Sequence, residues 1–328
     1  MSHQITTVNG KASIAFVGET PWHKLGQQME PGQSIETWAI NAGMDFNINS
    51  ALVQYKSHPD NVYASDIVTG KKVLYRSDNG KSLAVVSDTY KVVQPKEVLE
   101  FYRDLTEKAG FQLETAGVLR EGRKYWALAS MGQEAKVLDD SLKGYLLLGT
   151  ACDGTMATTA MFTSVRVVCA NTLGFAMQEA ASGKGKNVIR VNHRSEFDEA
   201  SVKAQLGIAA TSWNSFMTSV DVWCGTPIDD VSAKQYFDEV ASYTTTEGDV
   251  VISKKTTETL MNLFQGGGMG SQLTTAKGTV WGLINAVTEY VDHHKGRTAD
   301  GRMDRAWFGD GQAIKSLAVN KANELALV

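Results

Sequence analysis

The sequence YLLLGTACDGTMATTAMFTSVRVVCANTLGFAM, residues 145–177, carries apolar side chains more densely than the stretches on either side of it. The apolar run Tyr145–Leu148 precedes the turn signal Asp153-Gly154, and a second β-prone run, Met156–Phe162, follows the turn. Gly after Asp is typical of a tight turn, because both residues tolerate a positive φ. This stretch therefore predicts a β-hairpin at the core of the fold.

The spacing of the apolar residues changes after this hairpin. They recur at steps of three and four residues, which is the period of a helix with one buried face. Thr163 and Ser164 stand where a hydroxyl would cap the first unpaired N–H groups of such a helix. We therefore predict a helix that starts near Val165 and buries Val165, Val168, Cys169, Thr172, Leu173 and Ala176.

The chain before this segment has the pattern of an antiparallel sheet. Short β-prone runs alternate with turn signals between residues 47 and 93, and Asn79-Gly80 is the strongest hairpin signal among them. Pro95 opens a helix in its first turn, where the missing N–H costs nothing. A further hairpin is predicted from the runs Phe111–Val118 and Tyr125–Ser130.

Helix caps and the spacing of apolar residues predict the secondary structure of the N-terminal and C-terminal parts of the chain. Residues 1–50 are rich in loop formers, apart from one short helix near Ile35–Ala42 that Ser34 caps. After residue 194 the pattern is largely helical, and Ser195 stands where it would cap the first of these helices. Further helices are predicted after Pro227, over Thr256–Phe264, over Thr279–His294 and over Gln312–Leu327.

This order of elements predicts an α+β fold. A mainly antiparallel sheet carries helices on one face, and a largely helical C-terminal half follows it. We divide the chain into an α+β core with a loop-rich N-terminal segment, residues 1–194, and a mainly helical region, residues 195–328. Whether these two regions pack as one continuous domain stays open.

Composition places the chain among ordinary globular proteins. Of its 328 residues, 43% are hydrophobic and 21% are charged, and no apolar run reaches the length of a membrane span. The net charge of −4 gives no overall attraction to nucleic acid, so such binding needs a local basic patch. The N-terminus lacks a signal-peptide pattern, and the three cysteines lack metal-finger spacing. We expect a protein of the reducing cytoplasm.

A basic stretch without acids, residues 184–194, follows Gly183, and we call it the basic arm. Strand-borne cations beside aromatic side chains can hold single-stranded nucleic acid through phosphate contacts and base stacking. A solvated edge strand is the alternative, because charge at an edge discourages aggregation. The candidate nucleic-acid-binding residues are Lys184, Lys186, Arg190, His193 and Arg194, with Lys295, Arg297, Arg302 and Arg305 as a secondary basic patch beside Trp307 and Phe308.

Arg166 is a further candidate. At the N-terminus of the predicted helix, the macrodipole disfavours a cation by ~0.3–1 kcal/mol. Either the carboxylate of Asp153 pairs with the guanidinium, or the guanidinium is left to take a phosphate. We favour the pair with Asp153.

No catalytic, cofactor or metal motif stands out. Gly266–Ser271 lacks the preceding strand and the adjacent lysine of a phosphate-binding loop, so a glycine turn that ends a helix is the simpler interpretation. His293 and His294 point about 100° apart on a helix and cannot easily share a metal ion. For Trp22-His23, a packed Trp with a hydrogen-bonded His is favoured over a ligand-binding pair. We therefore predict no cofactor, no metal and no identifiable catalytic residue.

Three stretches together resemble a known family: Pro21–Gly26 (PWHKLG), Phe162–Leu173 (FTSVRVVCANTL) and Asn285–His293 (NAVTEYVDH). On these residues the chain resembles the phage/plasmid-like protein family, domain of unknown function 932, over essentially its whole length. The resemblance implies a protein encoded by a bacteriophage, prophage or conjugative plasmid. It also implies a role in DNA replication, recombination or evasion of host defence, but no activity and no catalytic residue.

Three functions follow as alternatives. The first is a homo-oligomeric protein of the bacterial host cytoplasm that binds or anneals single-stranded nucleic acid in DNA metabolism. The second is a protein-interaction module that acts on a host factor through an aromatic surface of the helical half. The third, and the least favoured, is an enzyme with an unrecognised site near His23, Asp153 or the glycine turn. The aromatic surface of the second alternative consists of Trp213, Phe216, Trp223, Trp281 and Trp307.

Overall fold

The computed structural model describes residues 6–8, 10–18, 25–58, 65–166, 171–174, 188–206, 209–296, 305–307 and 309–326. The fold is α+β, as predicted, with strands concentrated before residue 192 and helices after residue 198. The strands are β1 Thr7–Val8, β2 Lys11–Ala12, β3 Ile14–Val17, β4 Gln27–Met29, β5 Ile48–Lys56, β6 Ser65–Arg76, β7 Ser82–Ser87, β8 Gln112–Leu119, β9 Lys124–Val137, β10 Asp140–Ala151, β11 Thr158–Arg166, β12 Asn171–Gly174, β13 Val188–Val191, β14 Ser242–Thr244 and β15 Val250–Ile252. The helices are α1 Ile35–Asn41, α2 Pro95–Glu100, α3 Arg103–Lys108, α4 Glu199–Leu206, α5 Ala209–Gly225, α6 Asp230–Val240, α7 Lys254–Asn262, α8 Val280–Glu289 and α9 Asp310–Ala326.

The largest sheet has the strand order β4-β3-β8-β9-β10-β11-β12, and β13 also pairs with β11. The strands β5, β6 and β7 form a separate antiparallel sheet, and β1-β2 and β14-β15 are two-stranded. In the largest sheet, β8 pairs with β3 and β9 antiparallel, as β11 does with β12, whereas β3 and β4 are parallel. This order confirms the mainly antiparallel sheet that the sequence predicts.

The three predicted hairpins are present. Gly80 and Gly154 have φ angles of 68° and 76°, so the β6–β7 and β10–β11 connections use the positive φ that favours glycine. The third hairpin pairs β8 with β9 in register from Gln112↔Ser130 to Leu119↔Lys124. Strong local turn signals therefore locate these strand pairs correctly.

The helix predicted to start near Val165 is wrong. β11 instead continues through Arg166 and pairs with β12, in register from Thr163↔Gly174 to Arg166↔Asn171. Val165 and Thr172 are β-branched, and such residues fit a strand better than a helix. Val168, Cys169 and Ala176, which the prediction also places on the buried face of that helix, lie outside the described residues.

Two predictions for the chain ends also need correction. The segment expected to be loop-rich contains β1 to β4, whose strands are only two to four residues long and give little periodic signal. The helix expected to follow Ser195 begins at Glu199, because the Asp198 carboxylate accepts a hydrogen bond from the Ser201 N–H at 3.1 Å. A second helix, α5, carries the later part of the predicted apolar stripe.

The other predicted helices are confirmed within a few residues at each end. Ser34 caps α1 by accepting from the Thr37 N–H at 3.2 Å, and Pro95 opens α2. In the C-terminal half, Asp229 caps α6, Ser253 caps α7 and Thr279 caps α8. No helix in the described part of the chain is long and apolar enough to cross a membrane.

The chain divides into two compact units that interleave along the sequence. The first comprises Met1–Met131, Leu146–Met161 and Ile189–Ala204, and the second comprises Gly132–Tyr145, Phe162–Val188 and Gln205–Val328. The predicted boundary at residue 194 rests on secondary-structure content and stays a prediction.

Each unit has its own core. In the first unit, the buried Tyr102 hydroxyl donates to the carbonyl oxygens of Ala127 at 2.8 Å and Leu146 at 3.0 Å, which ties the α2–α3 corner to β9 and β10. In the second unit, the buried indoles of Trp223 and Trp281 stack with centroids 6.1 Å apart. These contacts give each unit a fixed aromatic centre.

Candidate nucleic-acid interface

The structure places the described half of the basic arm on β13 and in the turn that follows it. Ile189 is 4% exposed, whereas Arg190 is exposed, so the strand alternates between core and solvent. Arg194 is also exposed. Lys184 and Lys186 lie outside the described residues. The basic arm therefore contains a strand, and Arg190 on this strand and Arg194 in the turn after it are exposed to solvent.

His193 is buried and takes a different role from the one predicted for it. Its Nδ1 lies 2.9 Å from the carbonyl oxygen of Lys91, and its Nε2 lies 3.1 Å from that of Met156. A carbonyl oxygen only accepts, so each ring nitrogen that carries a hydrogen can donate to the oxygen it faces. The ring also stacks on Tyr90, with centroids 4.6 Å apart. His193 therefore positions the turn instead of facing a ligand.

Further lysines lie next to this turn. The Lys91 N–H donates to the His193 carbonyl oxygen at 2.7 Å, and the Lys72 ammonium donates to the Tyr90 carbonyl oxygen at 2.8 Å. Sequence reasoning missed these two lysines, because only the fold brings β6 and the segment after β7 to the turn after β13.

The ammonium of Lys91 has a carboxylate partner. It lies 2.7 Å from Glu196, whose hydrogen bond to the lysine holds the pKa of this carboxyl below its usual value. The two side chains are 49% and 82% exposed, so water and salt screen the pair. A phosphate can therefore compete for this lysine at little cost.

Arg190 and Arg194 differ from other arginines of the first unit. The Arg76 guanidinium is buried, pairs with Asp78 at 2.7 Å and lies 3.7 Å from the centre of the Phe46 ring. Arg103 pairs with Glu36 and Glu100, each at 2.6 Å. By contrast, neither Arg190 nor Arg194 has a side-chain hydrogen bond or ion pair among the residues that the structure describes.

Arg166 lies on β11, opposite Asn171, so the helix N-terminus on which its predicted role rested does not exist. Its side chain lies outside the described part, and the predicted pair with Asp153 stays a prediction. The Asp153 carboxylate accepts hydrogen bonds from the Thr155 N–H at 3.1 Å and from the Thr155 hydroxyl at 2.5 Å. These hydrogen bonds within the turn give the Asp153 carboxylate a structural role there.

The secondary basic patch is only partly described. Lys295 is 29% exposed and pairs with Asp310 at 3.2 Å, and Arg305 is an exposed helical residue. Arg297 and Arg302 lie outside the described residues, as does Phe308. The lysine of this patch therefore already has a carboxylate partner, unlike the exposed arginines of the basic arm.

The glycine turn is closed by a carboxylate. Glu289 is 5% exposed, and it accepts the Met269 N–H at 2.9 Å. Gly266 has a φ of 131°, and Gly268 packs so closely that a Cβ there would meet the Glu289 carboxylate at 3.0 Å. An anion at this N–H would face that carboxylate, so the turn is no phosphate cradle. The interpretation as a helix-ending turn is confirmed.

The aromatic surface expected for a protein-interaction module is not present. Trp213, Phe216, Trp223 and Trp281 are 7%, 2%, 3% and 2% exposed, and they form the core of the second unit. Trp307 is half-buried. The helical spacing that suggested an interface is the spacing of buried helix faces.

The buried Cys152 is poorly suited to act as a nucleophile. Burial raises the pKa of the Cys152 thiol to about 12, which makes it a poor nucleophile at neutral pH. No group of three or more potential metal ligands occurs within the described ranges. His23 and Trp22, the other candidates from the sequence, fall outside those ranges.

Residues 82–307 match the model of a family with the description Domain of unknown function (DUF932). This range covers well over half of the chain and includes the basic arm. No curated protein and no solved structure matches the chain. The description names no ligand, so the function has to be argued from the side chains themselves.

Proposed function

The chain belongs to the DUF932 family, and from that premise we propose that it binds single-stranded nucleic acid through the exposed cations of the basic arm. The observation that carries this proposal is the pair of exposed guanidiniums at Arg190 and Arg194. Arginine presents five donors in a planar fork that matches a phosphate in bidentate fashion.

The surroundings of these arginines support the proposal. Between the two guanidiniums, the His193 ring lies within hydrogen-bond distance of the carbonyl oxygens of Lys91 and Met156, which ties this turn to two other segments of the first unit. Lys91 and Lys72 add positive charge next to the same turn. For a chain with a net charge of −4, such a local cluster is what attraction to a phosphate backbone requires.

In this proposal the protein acts in the DNA metabolism of a phage or plasmid, where it binds or anneals single strands in the cytoplasm of the bacterial host. The phage or plasmid origin rests on the resemblance of the sequence blocks, and annealing goes one step beyond binding. An annealing protein would accelerate the pairing of two complementary strands. Stopped-flow measurement of that rate, with and without protein, separates annealing from binding alone.

Fluorescence anisotropy of a labelled oligothymidine of about 20 nucleotides, titrated at several salt concentrations, tests the binding. We expect salt-dependent affinity in the micromolar range at low salt. In the double variant Arg190→Ala/Arg194→Ala, the slope of log affinity against log salt should fall by about 1.4, because each phosphate contact to a single strand contributes about 0.7. Affinity itself should fall at least tenfold.

The matched control is the double variant Lys254→Ala/Lys255→Ala. It removes the same number of exposed cations from the start of α7, in the other unit. This control should keep the affinity and the slope of the unmodified protein. The proposal is wrong if the unmodified chain shows no salt-dependent binding below about 10 µM, or if both double variants lose the same affinity.

A further inference from the structure

The β5-β6-β7 sheet of the first unit has an edge that is open to a partner strand. β5 is one of its edge strands, and within the described residues no strand pairs with its outer side. Its sequence, INSALVQYK, has no charge before Lys56 and no proline. Leu52 and Tyr55 are 62% and 54% exposed. Natural edge strands of this length normally carry charges, prolines or a cover that prevents pairing.

A side chain already occupies the first position of this edge. The Ile48 N–H donates to the Gln94 side-chain oxygen at 2.8 Å, and the Gln94 amide nitrogen donates to the Ile48 carbonyl oxygen at 3.1 Å. The primary amide thus imitates one residue of a neighbouring strand. It also shows that the backbone N–H and C=O groups of Ile48 point away from β6.

Backbone direction alternates along an antiparallel strand, so this observation determines the next positions. Ser50 and Leu52 follow Ile48 in uninterrupted register with β6, and their N–H and C=O groups therefore also point outward. The register shifts only after Leu52, before Gln54. The open edge thus has two consecutive pairing positions, Ser50 and Leu52, with Ala51 between them.

Two copies of this edge fit each other. Around a two-fold axis at Ala51, identical antiparallel strands place Ser50 of each copy opposite Leu52 of the other, and each pair exchanges two backbone hydrogen bonds. Ala51 would then face its own copy across a non-hydrogen-bonded position, where its small side chain permits close approach. The ladder is limited to these two pairs, because the Gln94 side chain already bonds the Ile48 backbone.

Apolar side chains on β6 and β7 lie in one row with Ala51 and would extend the contact between the two sheets. Ala51 pairs with Val73, and Val73 pairs with Val85, which is 58% exposed. The two-fold axis would join this row to its copy, so that apolar side chains would stand in line across both three-stranded sheets. No charged residue of β5 would stand opposite a like charge in this register.

We propose that this chain forms a two-fold dimer by antiparallel pairing of β5 with β5 of a second copy, centred on Ala51. The dimer stands apart from the proposed function, because it uses no residue of the basic arm and no nucleic acid. It would bring two basic arms into one particle. Dimerisation and nucleic-acid binding are measured separately, so failure of one leaves the other testable.

Disulfide trapping of the full chain tests the register. In a background with Cys169→Ser and Cys224→Ser, Ala51→Cys places two thiols at the non-hydrogen-bonded position, where Cα atoms are about 4.5 Å apart and a disulfide fits. We expect copper phenanthroline to convert most of the protein to a covalent dimer. Asn49→Cys is the control, because its two copies would lie about four residues, or about 13 Å, apart along the ladder.

Sedimentation of variants tests the surface without oxidation. The unmodified chain should sediment as a dimer at a concentration of about 50 µM, which suits even a modest two-fold interface. Leu52→Pro removes an outward N–H, which an edge strand tolerates, and should give a folded monomer by circular dichroism. Val85→Thr, at the far end of the apolar row, is the control and should remain dimeric.

Disulfide trapping and sedimentation together distinguish the proposed β5–β5 dimer from a monomer and from a dimer formed by another surface. An unmodified chain that is monomeric at the stated concentration overturns the proposal, even if a different protein later proves to cover the edge. A dimer that persists in Leu52→Pro, with no cross-link at Ala51→Cys, shows that another surface dimerises and also overturns it. If Leu52→Pro fails to fold, the register is tested by the two cysteine variants alone. Cross-linking of Ala51→Cys without cross-linking of Asn49→Cys supports the proposed register. Equal cross-linking of both variants overturns it.

Discussion

At the residue scale, Asp139 illustrates how one carboxylate holds a turn. Its carboxylate accepts the Thr274 N–H at 2.7 Å, and this hydrogen bond holds the pKa of Asp139 below its ordinary value of 3.8. A lowered pKa means that the contribution to stability is complete above the ordinary value and is lost as the pH falls through the lowered one. The β9–β10 turn should therefore loosen in acid.

We predict that Asp139→Asn reduces the acid sensitivity of folding. The amide oxygen still accepts the hydrogen bond but does not titrate, so the free energy of unfolding should drop less between about pH 5 and about pH 2 than in the unmodified protein. Urea unfolding at a series of pH values measures this difference. Asp249→Asn is the control, because the Asp249 carboxylate makes no hydrogen bond with the described residues. Equal acid sensitivity of Asp139→Asn and the unmodified chain contradicts the prediction.

Lys315 gives a second prediction at this scale. It is 1% exposed and its ammonium pairs with Asp292, which is 8% exposed; burial lowers the pKa of the lysine. Lys315→Met should destabilise the protein by about 3–5 kcal/mol, because it removes the ammonium that faces a buried carboxylate. Adding Asp292→Leu should recover most of that loss. Chemical denaturation of both single variants and the double variant measures the coupling, and additive losses would refute it.

The role of His193 could not be predicted from local sequence. The ring is held by the carbonyl oxygens of Lys91 and Met156, which are 102 and 37 residues away in the chain. Only the closed fold brings these oxygens to the ring. Arg190, in contrast, follows from alternation on a strand that its β-branched neighbours predict. The exposure of a strand residue such as Arg190 can be predicted from the alternation of its neighbours in sequence. The burial of a turn residue such as His193 depends on distant segments and cannot be predicted in this way.

At the element scale, α8 depends on a glycine for its packing. A Cβ on Gly282 would lie 2.0 Å from the carbonyl oxygen of Ala276, and backbone cannot move aside as a side chain can. We predict that Gly282→Ala destabilises the protein by about 1–3 kcal/mol, as overpacking of a core does. Thermal unfolding measures the effect.

The control for this prediction is the same substitution in another helix. Gly225, at the end of α5, has nothing within 4 Å of its ideal Cβ position. Gly225→Ala should be neutral or slightly stabilising, because alanine favours a helix over glycine by up to about 1 kcal/mol. If both substitutions cost the same free energy, the crowding of α8 is not the cause.

Helices and hairpins marked by cap or turn residues could be predicted from the sequence. Strands that form because a distant or unrecognised strand pairs with them could not. Asn79-Gly80 specifies a hairpin, and Ser34 and Pro95 specify helix starts, because each acts through its own backbone. The stretch from Val165 fits helical spacing and strand propensity equally well. Its β-branched residues form a strand because β12 pairs with it, and no pattern within the stretch reveals that partner.

At the scale of the whole molecule, the two units should unfold together. The chain passes from one unit to the other after residues 131, 145, 161, 188 and 204, so neither unit is a continuous piece of sequence. We predict that Gly282→Ala lowers the unfolding midpoint equally in both units. Hydrogen exchange of peptides from β8 in the first unit and α8 in the second measures this, and two separate midpoints would contradict it.

The same interleaving has a consequence for synthesis on the ribosome. Domains commonly fold one after another as each emerges, N-terminal first. Here the first unit still lacks Ile189–Ala204 when most of its strands have already left the exit tunnel, and by then the nascent chain contains pieces of the second unit as well. The β5 strand is synthesised well before Ile189–Ala204 completes the first unit. In the proposed dimer, two chains made on one messenger would be able to pair through β5 before either is complete, so assembly would begin to compete with misassembly during translation.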